Sequence, residues 1–395
     1  MVFDVARVRG LYTSLGDGWT YLCAHAQPQI PERVSSAVAR GFRLSSVVEF
    51  TDPFKSNHML TPEGGRLGAE SQFASARYAI ADLTGTSPEA VVLAPSLDVL
   101  YSRLNQALRP VLRRGSLLAS RADVRQIDHT DVHYAEPDLG NGEVPAWQYA
   151  KLVTGATRLV TLSAVHPQLG TVNNVARIAE NVRDHSRAWV LVDATGLAGF
   201  SSIAVEDLGV DMVAVDCTAF GGPQVAALAL RDVSMFPRMD MSAFINDVAP
   251  GLAAGVPAAV DHIANLVEQD RGRRRDRLMT SLEEAGGYLR YLADYLADSL
   301  NAMTRLHVFG VTGEVAFGST AIRIPRVTFC IPGVPAETIH NRLITNRMVT
   351  TIASDDPVLT SMGLAETDGA ITVGLGPYNT THDVDQLVRV LASLA

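Results

Sequence analysis

Lysine is almost missing from this chain. Its 395 residues contain two, Lys55 and Lys151, and arginine supplies the other 31 basic side chains. Chemistry that needs a side-chain amine as nucleophile therefore has only two places to come from. Cysteine is equally scarce. Cys23, Cys217 and Cys330 lie far apart, which excludes a disulfide framework and a cysteine-rich zinc site. No apolar run reaches the ~20 residues that span a bilayer, so no membrane partner is expected. The first residues, Met-Val-Phe-Asp-Val-Ala-Arg, lack the basic stretch and apolar block of a secretory leader. A soluble, reducing, cytoplasmic setting is the expectation. The net charge of −9 argues against nucleic acid as the main partner. No repeat of 20–50 residues and no low-complexity tract is visible.

What is present is apolar residue, 47% of the chain, enough for a large core and more than one domain. Short apolar runs alternate with helical periodicity. Strands are expected near 90–93, 116–119, 158–162, 188–192, 212–215 and 225–230. Helices are expected near 31–41, 68–83, 97–108, 146–153 and 175–185. Strands that are apolar throughout and separated by helices indicate a mostly parallel sheet covered on both faces. After Pro257 the texture changes. A helical stretch reaches Glu268, a longer one runs from about Asp276 to Arg305, and short strands and helices alternate to the end. The fold class is α/β: a large domain with a doubly covered sheet, plus a smaller α+β C-terminal domain. Residues 31–256 form the large domain, 257–305 the connecting helices and 306–395 the small domain. Between the helical stretches lies a basic cluster, Arg271, Arg273, Arg274, Arg275 and Arg277, read as a solvated helix start rather than an anion or partner site.

Asp193 ends the apolar strand Trp189-Val-Leu-Val192. A carboxylate at that end of a buried strand in an open α/β sheet sits where ligands bind, or else it caps the following turn. Downstream come Val205-Glu-Asp-Leu-Gly-Val-Asp211 and Asp216-Cys-Thr-Ala219-Phe-Gly-Gly-Pro223. Further segments join these: Leu162-Ser-Ala-Val-His166-Pro-Gln-Leu-Gly170-Thr171, and Ile371-Thr-Val-Gly-Leu-Gly-Pro-Tyr378-Asn-Thr380 followed by Asp383-Val-Asp385. Together they resemble the class V aminotransferase and cysteine desulfurase family of fold type I pyridoxal-phosphate enzymes. The Asn57-His58 region is similar to the family loop that shapes the substrate mouth. The resemblance covers nearly the whole chain. It implies an aspartate-aminotransferase-like fold, with residues 1–30 joining the small domain, and a dimer.

In that family the coenzyme is the electron sink, held by a Schiff-base lysine, an aspartate on the pyridine nitrogen, a stacking side chain, a phosphate cup and a substrate-carboxylate arginine. The resemblance places Asp193 as the aspartate. It places Ala219 at the lysine, four residues before Pro223, and Thr218 at the preceding histidine. Gly196 stands for a polar residue, Val124 for the ring stack, Pro167 for the residue on the ring hydroxyl and Thr372 for the arginine. The cup becomes Ser96-Leu97-Asp98, where Asp98 opposes a phosphate. Lys55 falls at a family arginine near the mouth and reads as an anion contact. Lys151 reads as a surface side chain.

The expectation is a homologue without Schiff-base catalysis, acting as a non-catalytic subunit or scaffold, either as a homodimer or as a heterodimer with an active paralogue. No covalent coenzyme is expected; noncovalent pyridoxal phosphate is an alternative. A second reading is a pyridoxal-phosphate-independent enzyme or small-molecule binder re-using the cleft, with Asp193, His166, Thr218, Asp98, Ser96 and Lys55 as candidate contacts. A third has a displaced lysine. His166, Asp193 and Asp216 do not have metal-motif spacing. His129 and His133 alternate with carboxylates, read as an exposed strand or loop face. Cys217 reads as a small buried hydrophobe.

Overall fold

A computed structural model of the protein describes residues 3–49, 66–269, 272–311 and 321–394. Lys55, the Asn57-His58 region and Arg271 lie outside the described residues.

The large sheet has seven strands: β1 Val91–Ala94, β2 Ser116–Ser120, β3 Val132–Ala135, β4 Thr157–Ser163, β5 Trp189–Asp193, β6 Met212–Asp216 and β7 Ala226–Leu230. Their spatial order is β1-β7-β6-β5-β4-β2-β3. The β6-β5-β4-β2-β3 run is parallel, and only β7 runs against both its neighbours. β2 and β7 are buried along their whole length. Side chains alternate between two apolar cores, Val190 and Val192 on one face, Trp189 and Leu191 on the other, which is why both faces must be covered.

Helices α1 Glu32–Leu44, α2 Gly68–Thr84, α3 Leu97–Ala107, α4 Ala146–Leu152, α5 Val175–His185 and α6 Pro250–Ala264 belong to this domain. α6 begins seven residues before the stretch expected after Pro257. Pro250 sits at its first turn, where a missing N–H costs nothing, and Pro257 lies inside the helix without ending it. Close packing holds it there. A Cβ on Gly41 of α1 would come within 2.4 Å of the Ala254 Cβ and 3.1 Å of the Gly251 Cα, so α1 and α6 approach at backbone distance.

Helix α7, Arg274–Asn301, joins the domains. Its first half, with Leu278, Leu282 and Ala285, packs in the large core. Its second half, with Leu292, Leu296 and Leu300, packs in the small one. The small domain is an antiparallel sheet of β8 His307–Val308, β9 Arg326–Cys330, β10 Thr351–Ile352 and β11 Ile371–Gly374, ordered β8-β9-β11-β10. It is covered by α8 Ala336–Thr345 and α10 Thr381–Leu391, with the short α9 Pro357–Ser361 beside it. The N-terminal segment divides. Val8, Tyr12 and Leu15 pack in the large core, whereas Thr20–Tyr21 pairs with Met348–Val349 and Cys23 bridges to Gly374.

The arginine cluster is a staple rather than a solvated helix start or an anion site. Arg274 bonds Asp261 on α6 at 2.8 Å and Asp82 on α2 at 3.0 Å, Arg275 donates to the Asp82 carbonyl, and Arg277 donates to the Asn265 side chain. Among the described members of the cluster Arg273 projects outward, paired with Asp276. Among the described residues no helix is long and apolar enough to cross a membrane. Arg274→Ala should lower unfolding free energy by about 1 kcal/mol, read from urea denaturation midpoints, while Arg273→Ala should leave the midpoint where it is.

Candidate functional site

The C-terminal ends of β4, β5 and β6 form a ledge tied by short polar turns. The Asp193 Oδ1 accepts the Thr195 backbone N–H at 3.0 Å. The Thr195 Oγ1 accepts the Asp216 N–H at 3.1 Å, and the Asp216 Oδ1 accepts the Thr218 N–H at 2.9 Å and its hydroxyl at 2.7 Å. The turn Cys217–Phe220 ends at Gly221, whose φ of 75° lies in the left-handed region that glycine enters without strain. That turn places Ala219 beside Asp193 in one cavity of about 160 Å³.

Side chains from both domains line this cavity. Asp193, Thr195, Gly196, Ser163, Val124, Arg125 and Ala219 come from the large domain. Arg326 comes from β9, and His25 from the N-terminal segment. Burial pushes the Asp193 carboxyl above its usual range, opposed by the hydrogen bonds from Thr195 and by the Arg125 charge and aided by Asp216. Just behind it, Asp123 accepts the Ser163 N–H at 2.7 Å and the Ser120 N–H at 3.4 Å. Burial, set against those bonds and helped by the neighbouring Asp193, raises its pKa to about 7.

The opposite wall is cationic. Arg326 is 8% exposed, donates one N–H to the Pro167 carbonyl at 2.7 Å and leaves its Nε without a partner. No carboxylate among the described residues pairs with it. Burial lowers its pKa to about 10, so it is still a cation at neutral pH. His25 stands beside it. Thr351 donates its hydroxyl to the Thr372 carbonyl, so the His25 Nε2, 2.7 Å away, donates to Thr351. That leaves the buried Nδ1 a lone-pair acceptor without a partner. Burial, and secondarily the Arg326 charge, lower its pKa to about 3, so the ring is neutral.

The residues singled out in the sequence separate here. Asp193 and Ala219 line the cavity, with Val124, Pro167 and Gly196 around them. Thr218 is spent on Asp216. Ser96 caps α3 by accepting the Val99 N–H, and Leu97 is buried in the apolar core. The Asp98 side chain is 79% exposed and is bound at 2.7 Å by Arg125. His166 is not on the floor: its Nδ1 accepts the N–H groups of Gln168 and Leu169, and its Nε2 faces Asp356, 3.5 Å away on the small domain. Thr372 is turned to Thr328, 2.8 Å away. Lys151 lies over the exposed Trp147 ring on α4. Among the described residues no group of side chains is arranged to hold a metal. His129 donates its Nε2–H to the Gly115 carbonyl at 2.7 Å, and Cys217 is buried with its thiol pushed up by burial and by Asp216. Sequence reasoning missed Arg326, His25, Arg125 and Asp123. Arg326 left one signal, an arginine inside an apolar strand. A larger cavity, about 440 Å³, lies beside Asn173, Phe200, Arg290 and Ile322 and holds none of the residues singled out in the sequence.

Comparison with known proteins gives consistent relatives. The family profile described as "Aminotransferase class-V" matches residues 116–232. An uncharacterized protein of Mycobacterium tuberculosis (strain CDC 1551 / Oshkosh), MT3887, is 34% identical over 416 residues, covering 100% of both chains. The aminotransferase-like protein FGM3 of Gibberella zeae is 23% identical over 81% of this chain and 82% of its own. Among solved structures, a cysteine desulfurase from Thermococcus onnurineus NA1 superposes with a TM-score of 0.76 at 16% identity, covering 98% of this chain and 97% of that one. A NifS-like protein gives 0.70 at 20% identity over 95% and 99%.

The Asp123 carboxyl makes a test of this electrostatic description. Its folded pKa of about 7 lies above the ordinary 3.8, so between those values the folded state holds a proton that the unfolded chain has released. Its contribution therefore favours folding at low pH and is lost as pH rises from about 4 to about 7. Asp123→Asn removes that slope. The stability difference, wild type minus variant, should fall across that window in urea midpoints, and a flat difference would contradict the buried carboxyl. The opposite slope from His25 is common to both proteins and cancels.

Proposed function

This chain belongs to the class-V aminotransferase family, and from that premise we propose that it has given up Schiff-base chemistry and keeps its cleft as a receptor for a small anionic molecule. The observation that carries this reading is Arg326, a buried guanidinium on the cleft wall with no carboxylate partner among the described residues. Burying a charge is costly unless it is paired, and a carboxylate in the cavity would pair it. The neutral Nδ1 of His25 offers an acceptor beside it, suited to a ligand that carries an O–H or N–H near its anionic group.

The residues present do not fit a covalently held pyridoxal phosphate. Ala219 has no amine, and Lys151, the only lysine among the described residues, is on the surface of α4. Val124 offers no aromatic face for the ring. Asp98 in the first turn of α3 opposes a phosphate, and its nearest cation, Arg125, is already bound to it. Asp193 would suit a pyridinium, but the Thr195 N–H already uses it as a turn cap. No reaction step is assigned through the coenzyme. In this reading the chain acts as a binding or scaffolding subunit, alone or with an active paralogue.

Two measurements test it. Purified protein mixed with pyridoxal phosphate should develop no Schiff-base absorption in the visible, and borohydride should label neither Lys55 nor Lys151; a labelled lysine overturns the reading. Acetate, as the smallest carboxylate probe, should bind in calorimetry, and Arg326→Gln should weaken it by about tenfold or more, with Arg326→Lys intermediate.

A further inference from the structure

A second cavity, about 50 Å³, lies on the other side of Ala219. Ala219, Ala24 and Phe200 border both cavities, so the wall between them is made of two methyl groups and one ring. A longer side chain at 219 would project into this space. The second cavity is mostly apolar, and its polar lining comes from Gln29, Tyr12, His262 and Tyr378. The Tyr12 hydroxyl and the His262 Nε2 are 2.7 Å apart and satisfy each other. The Tyr378 hydroxyl is buried, 2% exposed as a residue; the Gln29 backbone lies near it, but it makes no hydrogen bond of normal geometry among the described residues. The hydroxyl end of Tyr378 lies against Gly376, where an added Cβ would stand 3.1 Å from the oxygen, and both residues line the cavity. Tyr12 packs edge-on against both His262 and Tyr378, with ring centroids 5.2 and 5.0 Å apart. A buried hydroxyl without a partner in a native site requires an explanation. Burial raises its pKa, as it does for Tyr12, so it offers a proton rather than a charge.

We infer that the two cavities form one elongated site, in which a ligand anchored by its anionic group at Arg326 passes Ala219 with an apolar body and presents a hydrogen-bond acceptor to the Tyr378 hydroxyl. This rests on the anion-receptor reading and specifies its ligand class: a small ω-oxygenated carboxylic acid rather than a compact amino acid. The volume beyond Ala219 is large enough for a few heavy atoms, since one water needs roughly 10–15 Å³ on the same kind of measure. Ala219 thus becomes the residue that sets ligand length.

Calorimetric titration with straight-chain carboxylates from acetate to hexanoate, and with ω-hydroxyhexanoate, tests it. In the wild type hexanoate should bind about tenfold more tightly than acetate, because each buried methylene adds affinity. The ω-hydroxy acid should exceed hexanoate by about fivefold through the Tyr378 bond. Ala219→Leu should compress the hexanoate-to-acetate ratio toward one, and Tyr378→Phe should compress the ω-hydroxy-to-hexanoate ratio toward one. A loss of fold would weaken every ligand together and leave the ratios unchanged. If Ala219→Leu does not fold, Tyr378→Phe decides alone. A ratio unmoved in a variant that still binds acetate as the wild type does, or a wild-type series without length dependence, overturns the inference. Acetate binding that still depends on Arg326 would then leave the receptor reading standing. Acetate binding indifferent to Arg326→Gln overturns that reading as well.

Discussion

A guanidinium that no carboxylate among the described residues pairs sits in the seam between the two domains, and the surrounding structure is built to hold it there. Arg326 lies in a fully buried strand, so the charge cannot move into water without unpicking the small sheet. Its one protein acceptor, the Pro167 carbonyl, belongs to the turn that the large domain sends to meet that sheet. The same turn is locked from both sides. His166 binds its own backbone and faces Asp356, Gln168 exchanges hydrogen bonds with Ser354, and the Thr328 hydroxyl donates to the Gln168 carbonyl. Gly170, at a φ of 71°, lets the chain pass where an added Cβ would stand 2.8 Å from the Arg326 carbonyl. Docking of the domains and placement of the cation are one arrangement. Asp356 shows the same coupling: burial alone would raise its carboxyl, yet the facing His166 ring and the N–H groups of Leu359 and Val358 outweigh burial and hold it low.

The charge on the cleft is divided by domain. Acids come from the strand ends of the large sheet, where Asp193 and Asp123 accept backbone N–H groups; the unpaired cation comes from the small domain. This division separates two kinds of family feature. Those that also hold the backbone are present: Asp193 caps its turn, Gly221 and Gly222 allow the bend beneath Ala219, and Asn379 and Asp383 cap α10 through the Thr380 box. The family resemblance places the positions that touch coenzyme or substrate at Ala219, Val124 and Thr372. On the function proposed above, a residue that also holds the backbone keeps a structural task, whereas one that serves only the coenzyme has none.

The fold was legible because its strands are apolar throughout and its helices amphipathic. α2, α5 and β5 stand within a residue of where periodicity puts them. Strand β3 was not read as part of the sheet, since Val132-His133-Tyr134-Ala135 is an edge with one neighbour and a half-polar face. The start of α6 was misplaced because Pro257 looks like a boundary, and only the close contact of Gly41 with Ala254 and Gly251 shows why the helix continues through it. At the site, Asp193 and Ala219 could be placed because strand ends and the Gly-Gly-Pro bend fix them locally. His166 could not, because its partner Asp356 is 190 residues away in sequence. Arg326 was hidden for the same reason: it enters the cleft from another domain, on the strand beside the one that the family resemblance marks for arginine.

That neighbouring-strand placement bears on how the cleft works. Arg326 pairs in register with Gly374, and Thr328 with Thr372, so the buried cation stands one strand across and two residues along from the position that the family resemblance marks for an arginine. A cation at position 372 would be aimed by a different strand. From 326 it shares the cavity with His25 and leaves the 372 position to the Thr328–Thr372–Gln168 hydroxyl chain that fastens the domain seam. On the function proposed above, this placement joins two tasks, anchoring an anion and clamping the domains, in residues that touch one another through the turn at Pro167. A ligand that neutralises Arg326 removes the cost of its buried charge, and so strengthens the docked arrangement of the domains along with its own binding.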